Sequence, residues 1–165
     1  MKTTKLLFCS MLSCVLLCGA CSSSSSVARK EQAARTQQGV KQAVNSNSYK
    51  IEVNQMIPTG APSRMLTTLY SLEIKNDSVF SYLPYFGRAY SAPYGGGNSM
   101  SFNAPVEDYK VKYGRKDKIE IEFDATNMND RLTYRITIFP NASASINVNS
   151  NNRQPVSYQG NLVLP

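Results

Sequence analysis

Four of the chain's ten tyrosines fall within thirteen residues: Tyr82, Tyr85, Tyr90 and Tyr94. Phe86 and Arg88 lie between them in the run YLPYFGRAYSAPYGGG, residues 82–97. A tyrosine offers an apolar ring face and a hydroxyl, which suits stacking on sugars or peptides. An arginine among such rings can pair with a carboxylate or phosphate. Pro84, Pro93 and Gly95, Gly96 and Gly97 argue against a simple continuous strand. Tyr85, Phe86, Arg88, Tyr90 and Tyr94 are therefore the candidate ligand contacts. The competing reading is that these rings plug one end of a barrel or cover a sheet edge.

The other residue types exclude more than they suggest. There is no histidine, so no Ser-His-Asp or Cys-His arrangement can form. The four cysteines, Cys9, Cys14, Cys18 and Cys21, all lie near the N-terminus. Beyond Cys21 there is no disulfide, no thiolate chemistry and no zinc site with His or thiolate ligands. Gly95-Gly96-Gly97 lacks the Lys-Ser/Thr of a phosphate loop. Glu120, Glu122 and Asp124 could pair for glycoside hydrolysis, but their alternate spacing is that of a solvated strand face. Glu107-Asp108 and Asp124-x-x-Asn127-x-Asn129-Asp130 hint at calcium. The second of these has neither the Gly nor the distal Glu of an EF-hand loop, and it reads as a turn. The expectation is no catalytic residue, no cofactor and no metal.

The N-terminus sets the location. Lys2 and Lys5 precede LLFCSMLSCVLLCGA, an uncharged run over residues 6–20. A basic head before a short apolar core is an export signal, and the run is shorter than the roughly 20 residues of a spanning helix. Gly19-Ala20-Cys21 matches a bacterial lipobox, although Cys18 stands where Leu is usual. Residues 1–21 read as a lipoprotein signal ending at a lipidated Cys21, with Ser22 to Ser26 as a tether. Of 18 basic residues two leave with the signal, so 16 face 11 acids. Export argues against nucleic acid as the partner of this basic chain; weak attraction to anionic lipid or cell-wall polymers fits better.

Residues 22–46 combine the tether with a short helix over about 28–44. Ala33, Val40 and Val44 can share a face. With so few large apolar groups the helix reads as an exposed or loosely docked spacer. From residue 47 the texture is period two, the pattern of half-buried strands. Asn76-Asp77 marks a hairpin, with Asp77-Ser78-Val79 also resembling an O-glycan acceptor. Lys110 and Lys112 fall opposite Glu120 and Glu122 across the 114–117 turn. Further turns fall at 127–130, 140–141 and 150–155. The fold class is all-β: an antiparallel meander of about eight or nine strands, as a barrel or two-layer sandwich, over residues 47–165.

The run at 82–97, with SYQGNL at 157–162, resembles the family designated domain of unknown function 4251. The likeness spans about residues 46–163. It implies a small exported protein of Gram-negative gut bacteria with an all-β domain, no established activity and no assigned catalytic residue. Lipoproteins displayed outside such cells often carry acids just after the lipidated Cys. Here the first acid is Glu31, which favours the periplasmic face over the cell surface. The resulting expectation is a lipid-anchored envelope lipoprotein, non-enzymatic, binding a glycan, cell-wall polymer or envelope protein through 82–97. The alternatives are a structural envelope component and a carboxylate-based glycan-active enzyme.

Overall fold

The computed structural model describes residues 24–90 and 99–164. One helix precedes nine strands: α1 (Ser24–Asn45), β1 (Tyr49–Pro58), β2 (Arg64–Lys75), β3 (Ser78–Pro84), β4 (Ser99–Pro105), β5 (Glu107–Tyr113), β6 (Ile119–Asn127), β7 (Asp130–Ile138), β8 (Ser143–Ser150) and β9 (Val156–Leu162). The expected meander is therefore present, and it is a nearly closed barrel rather than a sandwich. All pairings are antiparallel, in the order β4-β3-β2-β1-β9-β8-β7-β6-β5.

The sheet closes through two devices. The first strand pairs with the last, Ile51 opposite Leu162. The two edges of the ladder, β4 and β5, are consecutive segments separated only by Val106. One bent strand thus pairs with β3 over its first half and with β6 over its second. Pro105, which has no N–H to give, sits at the bend, and Val106 donates its N–H to Asp77 O at 2.9 Å.

Local chemistry sets the registers. Asn76 and Asp77 both have positive φ, 52° and 54°, the conformation of a two-residue hairpin turn matched to strand twist. Met128, at φ 54°, turns β6 into β7. Asn54 is an extra residue in β1 between Val53↔Gly160 and Gln55↔Gln159, a bulge that bends the strand. On the other side, Leu66 to Leu69 of β2 stand opposite that same Asn54.

The inward rows are packed with side chains. Phe123 and Tyr134 stack at 4.9 Å between ring centres. The buried hydroxyls all find acceptors, as buried polar groups must. Tyr158 donates to Pro84 O at 2.6 Å, Ser81 to Met100 O at 2.7 Å, and Tyr134 to Ser81 Oγ at 3.4 Å. Burial pushes the Tyr134 and Tyr158 hydroxyls well above the ordinary tyrosine range.

The chain divides into two compact units at residues 35 and 36. In the first, Arg35 pairs with Glu31 one turn away at 2.7 Å. The helix begins at Ser24, inside the serine run expected to be tether. In the second unit the expectation of a loosely docked spacer is overturned: Val40 and Val44 are each 1% exposed and Ala43 joins the core. The spacing i, i+3, i+4 gives a narrow but complete apolar stripe, small enough to be missed by size alone. Asn47, at φ 49°, ends the helix in the left-handed conformation. Among the described residues no helix is long and apolar enough to cross a membrane.

Candidate functional site

The two ends of the barrel differ in chemistry. One end gathers the connections β1–β2 (59–63), β3–β4 (85–98), β6–β7 (128–129) and β8–β9 (151–155). The described part of the site expected at 82–97, residues 82–90, lies here. Leu83 and Pro84 finish β3 inside the barrel. Tyr85 follows them inward and is only 3% exposed. Its hydroxyl donates to Arg88 O at 2.9 Å, with Gln154 O also at 3.3 Å. Burial raises its pKa. The Arg153 guanidinium lies 5.3 Å from the centre of the Tyr85 ring. Arg153 is itself buried and pairs with Asp130 at 3.5 Å, and Ser150 donates to the other Asp130 oxygen at 2.6 Å.

Main-chain bonds then fasten the segment to the β8–β9 loop. Gln154 N donates to Arg88 O, Arg88 N to Gln154 Oε1, and Tyr90 N to Asn152 O. Ala89 bridges Arg153. Gly87 has a specific reason: an added Cβ would lie 2.6 Å from the Tyr85 hydroxyl, displacing the bond that holds the turn.

The candidate contacts therefore separate. Phe86, Arg88 and Tyr90 are exposed, Tyr90 at 71%. Tyr85 is not a surface contact; its ring faces Arg153 and its hydroxyl is held by two carbonyls, so it secures the end of the barrel. Tyr94 and Cys21 lie outside the described residues. Tyr82 is exposed on the outer face and packs against Tyr70 at 5.3 Å.

The structure adds residues that sequence reasoning missed. Arg64 begins β2 and lies 5.0 Å from the Phe86 ring centre, a cation–π pair. Met65 and Leu69 are 71% and 82% exposed. Leu69 shares the outward phase of β2 with Ser71 and Glu73, an apolar residue on the polar face of the strand. Met128, 80% exposed at the β6–β7 turn, stands at the same end. Nothing in the Asn-rich loop at 151–155 announced Arg153 as buried.

The acidic strand face has a different role. Glu120 pairs with Lys118 at 2.6 Å, Glu122 with Arg135 at 2.9 Å, and Asp124 with Arg131 at 2.6 Å. Lys110 and Lys112 fall opposite Glu122 and Glu120 as expected. A hydrogen bond from Thr133, reinforced by Arg131, holds the Asp124 carboxyl below the usual carboxylate range. Lys118 lowers Glu120 likewise. A general acid needs the opposite shift. Of the residues in the calcium hint, Asp124 and Asp130 are thus both engaged by arginines. Among the described residues no three His, Cys, Asp or Glu side chains gather as a metal site.

Fold and site together define a small antiparallel barrel protein with a tyrosine-anchored connection across one end. The chain belongs to the family designated domain of unknown function DUF4251, whose profile matches residues 31–162. It is similar to the crystal structure of a DUF4251 family protein from Bacteroides eggerthii DSM 20697. The identity is 16% and the TM-score 0.64, over 79% of this chain and 89% of that chain. At that identity the likeness carries the fold alone. No curated protein matches the chain.

Proposed function

We propose that this protein is a lipid-anchored, non-enzymatic binding module of a bacterial cell envelope, on the periplasmic face of its membrane. Phe86, Arg88 and Tyr90 form the centre of its contact surface. The observation that carries this is the division of residues 85–90: Tyr85 and the main chain fasten the segment, while Phe86, Arg88 and Tyr90 project from it. Exposed aromatic rings on a fixed backbone lose little conformational entropy on contact. Neither Arg64 nor Arg88 has a carboxylate partner among the described residues. The ion pairs of Glu120, Glu122 and Asp124 weigh against carboxylate catalysis.

Tyr90→Ala tests the surface. An exposed side chain removed from a fixed loop changes stability by within about 0.5 kcal/mol, so the melting temperature should stay near wild type. Capture of envelope material by the immobilised domain should fall about tenfold or more if Tyr90 is an anchor. A large drop in melting temperature would instead support the second reading, a structural envelope component, which the inward Tyr85 favours.

The anchor has its own test. Cys21→Ser should abolish incorporation of a clickable fatty acid and leave the protein unprocessed or soluble. Equal labelling of wild type and mutant would refute lipidation at Cys21.

A further inference from the structure

The described apolar side chains at the end that carries Phe86 and Tyr90 stand on three separate chain segments, with Met65 and Leu69 on β2 and Met128 on the β6–β7 turn. They ring the rim rather than line one groove. The described residues of the four connections there, 59–63, 85–90, 128–129 and 151–155, include no acid. Their charges are Arg88 and Arg153; Arg64 follows as the first residue of β2. Arg153 is buried against Asp130, which leaves Arg64 and Arg88 to face solvent.

The opposite end also exposes apolar rings, Tyr113 and Phe139. There, however, Tyr113 donates its hydroxyl to Asn45. The adjacent turn carries Arg115, Lys116, Asp117 and Lys118. The asymmetry is therefore one of composition: apolar tips with arginine only at one end, mixed charge at the other.

We infer that the Phe86–Tyr90 end of the barrel rests on an anionic lipid bilayer. The inference deepens the binding-module reading and rests on it. Separate apolar tips suit a continuous plane, and a bilayer interface is one. Leucine and methionine enter the acyl boundary, and tyrosine rings settle at headgroup level. Unpaired arginines attract anionic headgroups and bond their phosphates. A solvent-facing carboxylate on the same rim would oppose this; the carboxylate that heads β7 there, Asp130, is withdrawn into its pair with Arg153.

The test uses residues 21–165 with Cys21→Ser, so that no acyl chain contributes and every described residue is kept. Vesicles of phosphatidylethanolamine with a quarter phosphatidylglycerol should sediment the protein. Pure phosphatidylcholine, or raising the salt to about 0.5 M, should lower the bound fraction about fivefold, since screening removes the arginine term. The double variant Leu69→Ser with Tyr90→Ser should bind about tenfold less with an unchanged melting temperature. A second readout does not depend on that variant. The chain has no tryptophan, so Leu69→Trp places a single reporter at the rim and Phe139→Trp one at the other end. On the phosphatidylglycerol vesicles the Leu69→Trp emission should move to shorter wavelength and be quenched by brominated lipid, and that of Phe139→Trp should not. No sedimentation with either vesicle, or the same response from both reporters, overturns the inference. Tyr90-dependent capture of an envelope protein or glycan without vesicle binding overturns it too, while the binding-module reading stands. Failure of both assays removes both.

Discussion

Gly160→Ala is expected to prevent the barrel from closing. Gly160 lies in β9 opposite Val53, next to the Asn54 bulge. An added Cβ would overlap the carbonyl oxygen of Glu52 and lie 2.9 Å from Val53 Cα. Both are main-chain atoms of a strand held on each side, by β2 and by β9, so no flexible side chain can yield. Such strain belongs with the rare substitutions that cost more than about 4 kcal/mol. Circular dichroism and size exclusion should show an unfolded or aggregated protein. Gly60→Ala is the control. Gly60 has φ +77° but nothing within 4 Å, so only conformational strain of about 1–2 kcal/mol applies. A Gly160→Ala protein melting within a few degrees of wild type would refute the close approach of β9 to β1.

Removing residues 24–45 is expected to have the next largest effect. Val40 and Val44 are buried to 1% exposure and Ala43 lies beside them. Burial of a valine is worth about 1.5–3 kcal/mol, so the pair alone contributes about 3–6 kcal/mol. A domain holds about 5–15 kcal/mol in total, and the melting temperature should fall on the order of 10–20 °C. Val40→Ser with Val44→Ser should reproduce most of the loss without shortening the chain. A truncated protein with an unchanged melting temperature would return the helix to the role of spacer.

The strands and their turns were legible because each obeys a local rule. Asn76-Asp77, 114–117 and 127–130 turn where polar residues interrupt the alternation, and the Lys/Glu face of β5 and β6 shows its own pairing. Barrel and sandwich share that alternation, so closure was not readable. It depends on Leu162 reaching Ile51 and on the bend at Pro105, both products of the whole sheet. The helix was misread because Val40, Ala43 and Val44 are small and their burial depends on what the barrel leaves uncovered. In the candidate site, Phe86, Arg88 and Tyr90 stood out by residue type. Tyr85 did too, yet only the position of Arg153 decides that its ring turns inward. Leu69 was readable as outward from its phase with Ser71 and Glu73, whereas Arg64 gave no signal, because nothing local places it beside Phe86. One glycine in each of the two family-like strings has a steric reason: Gly87 makes room for the Tyr85 hydroxyl and Gly160 for the Glu52 carbonyl.

The pairing of β1 with β9 also sets a schedule. Seven strands separate the two partners in sequence, and such distant contacts form slowly because a long loop must close first. A chain that emerges from its N-terminus holds β1 with one free edge until the last strand has been delivered. Until then Ile51, Val53 and Met56 have no completed interior to enter. Delivery of β9 thus precedes closure of the barrel. Until β9 arrives the sheet is open, and its pairing with β1 and β8 converts the sheet to the closed form. Loss of β9 from the C-terminus would leave two open edges, on β1 and β8, that invite pairing with other chains.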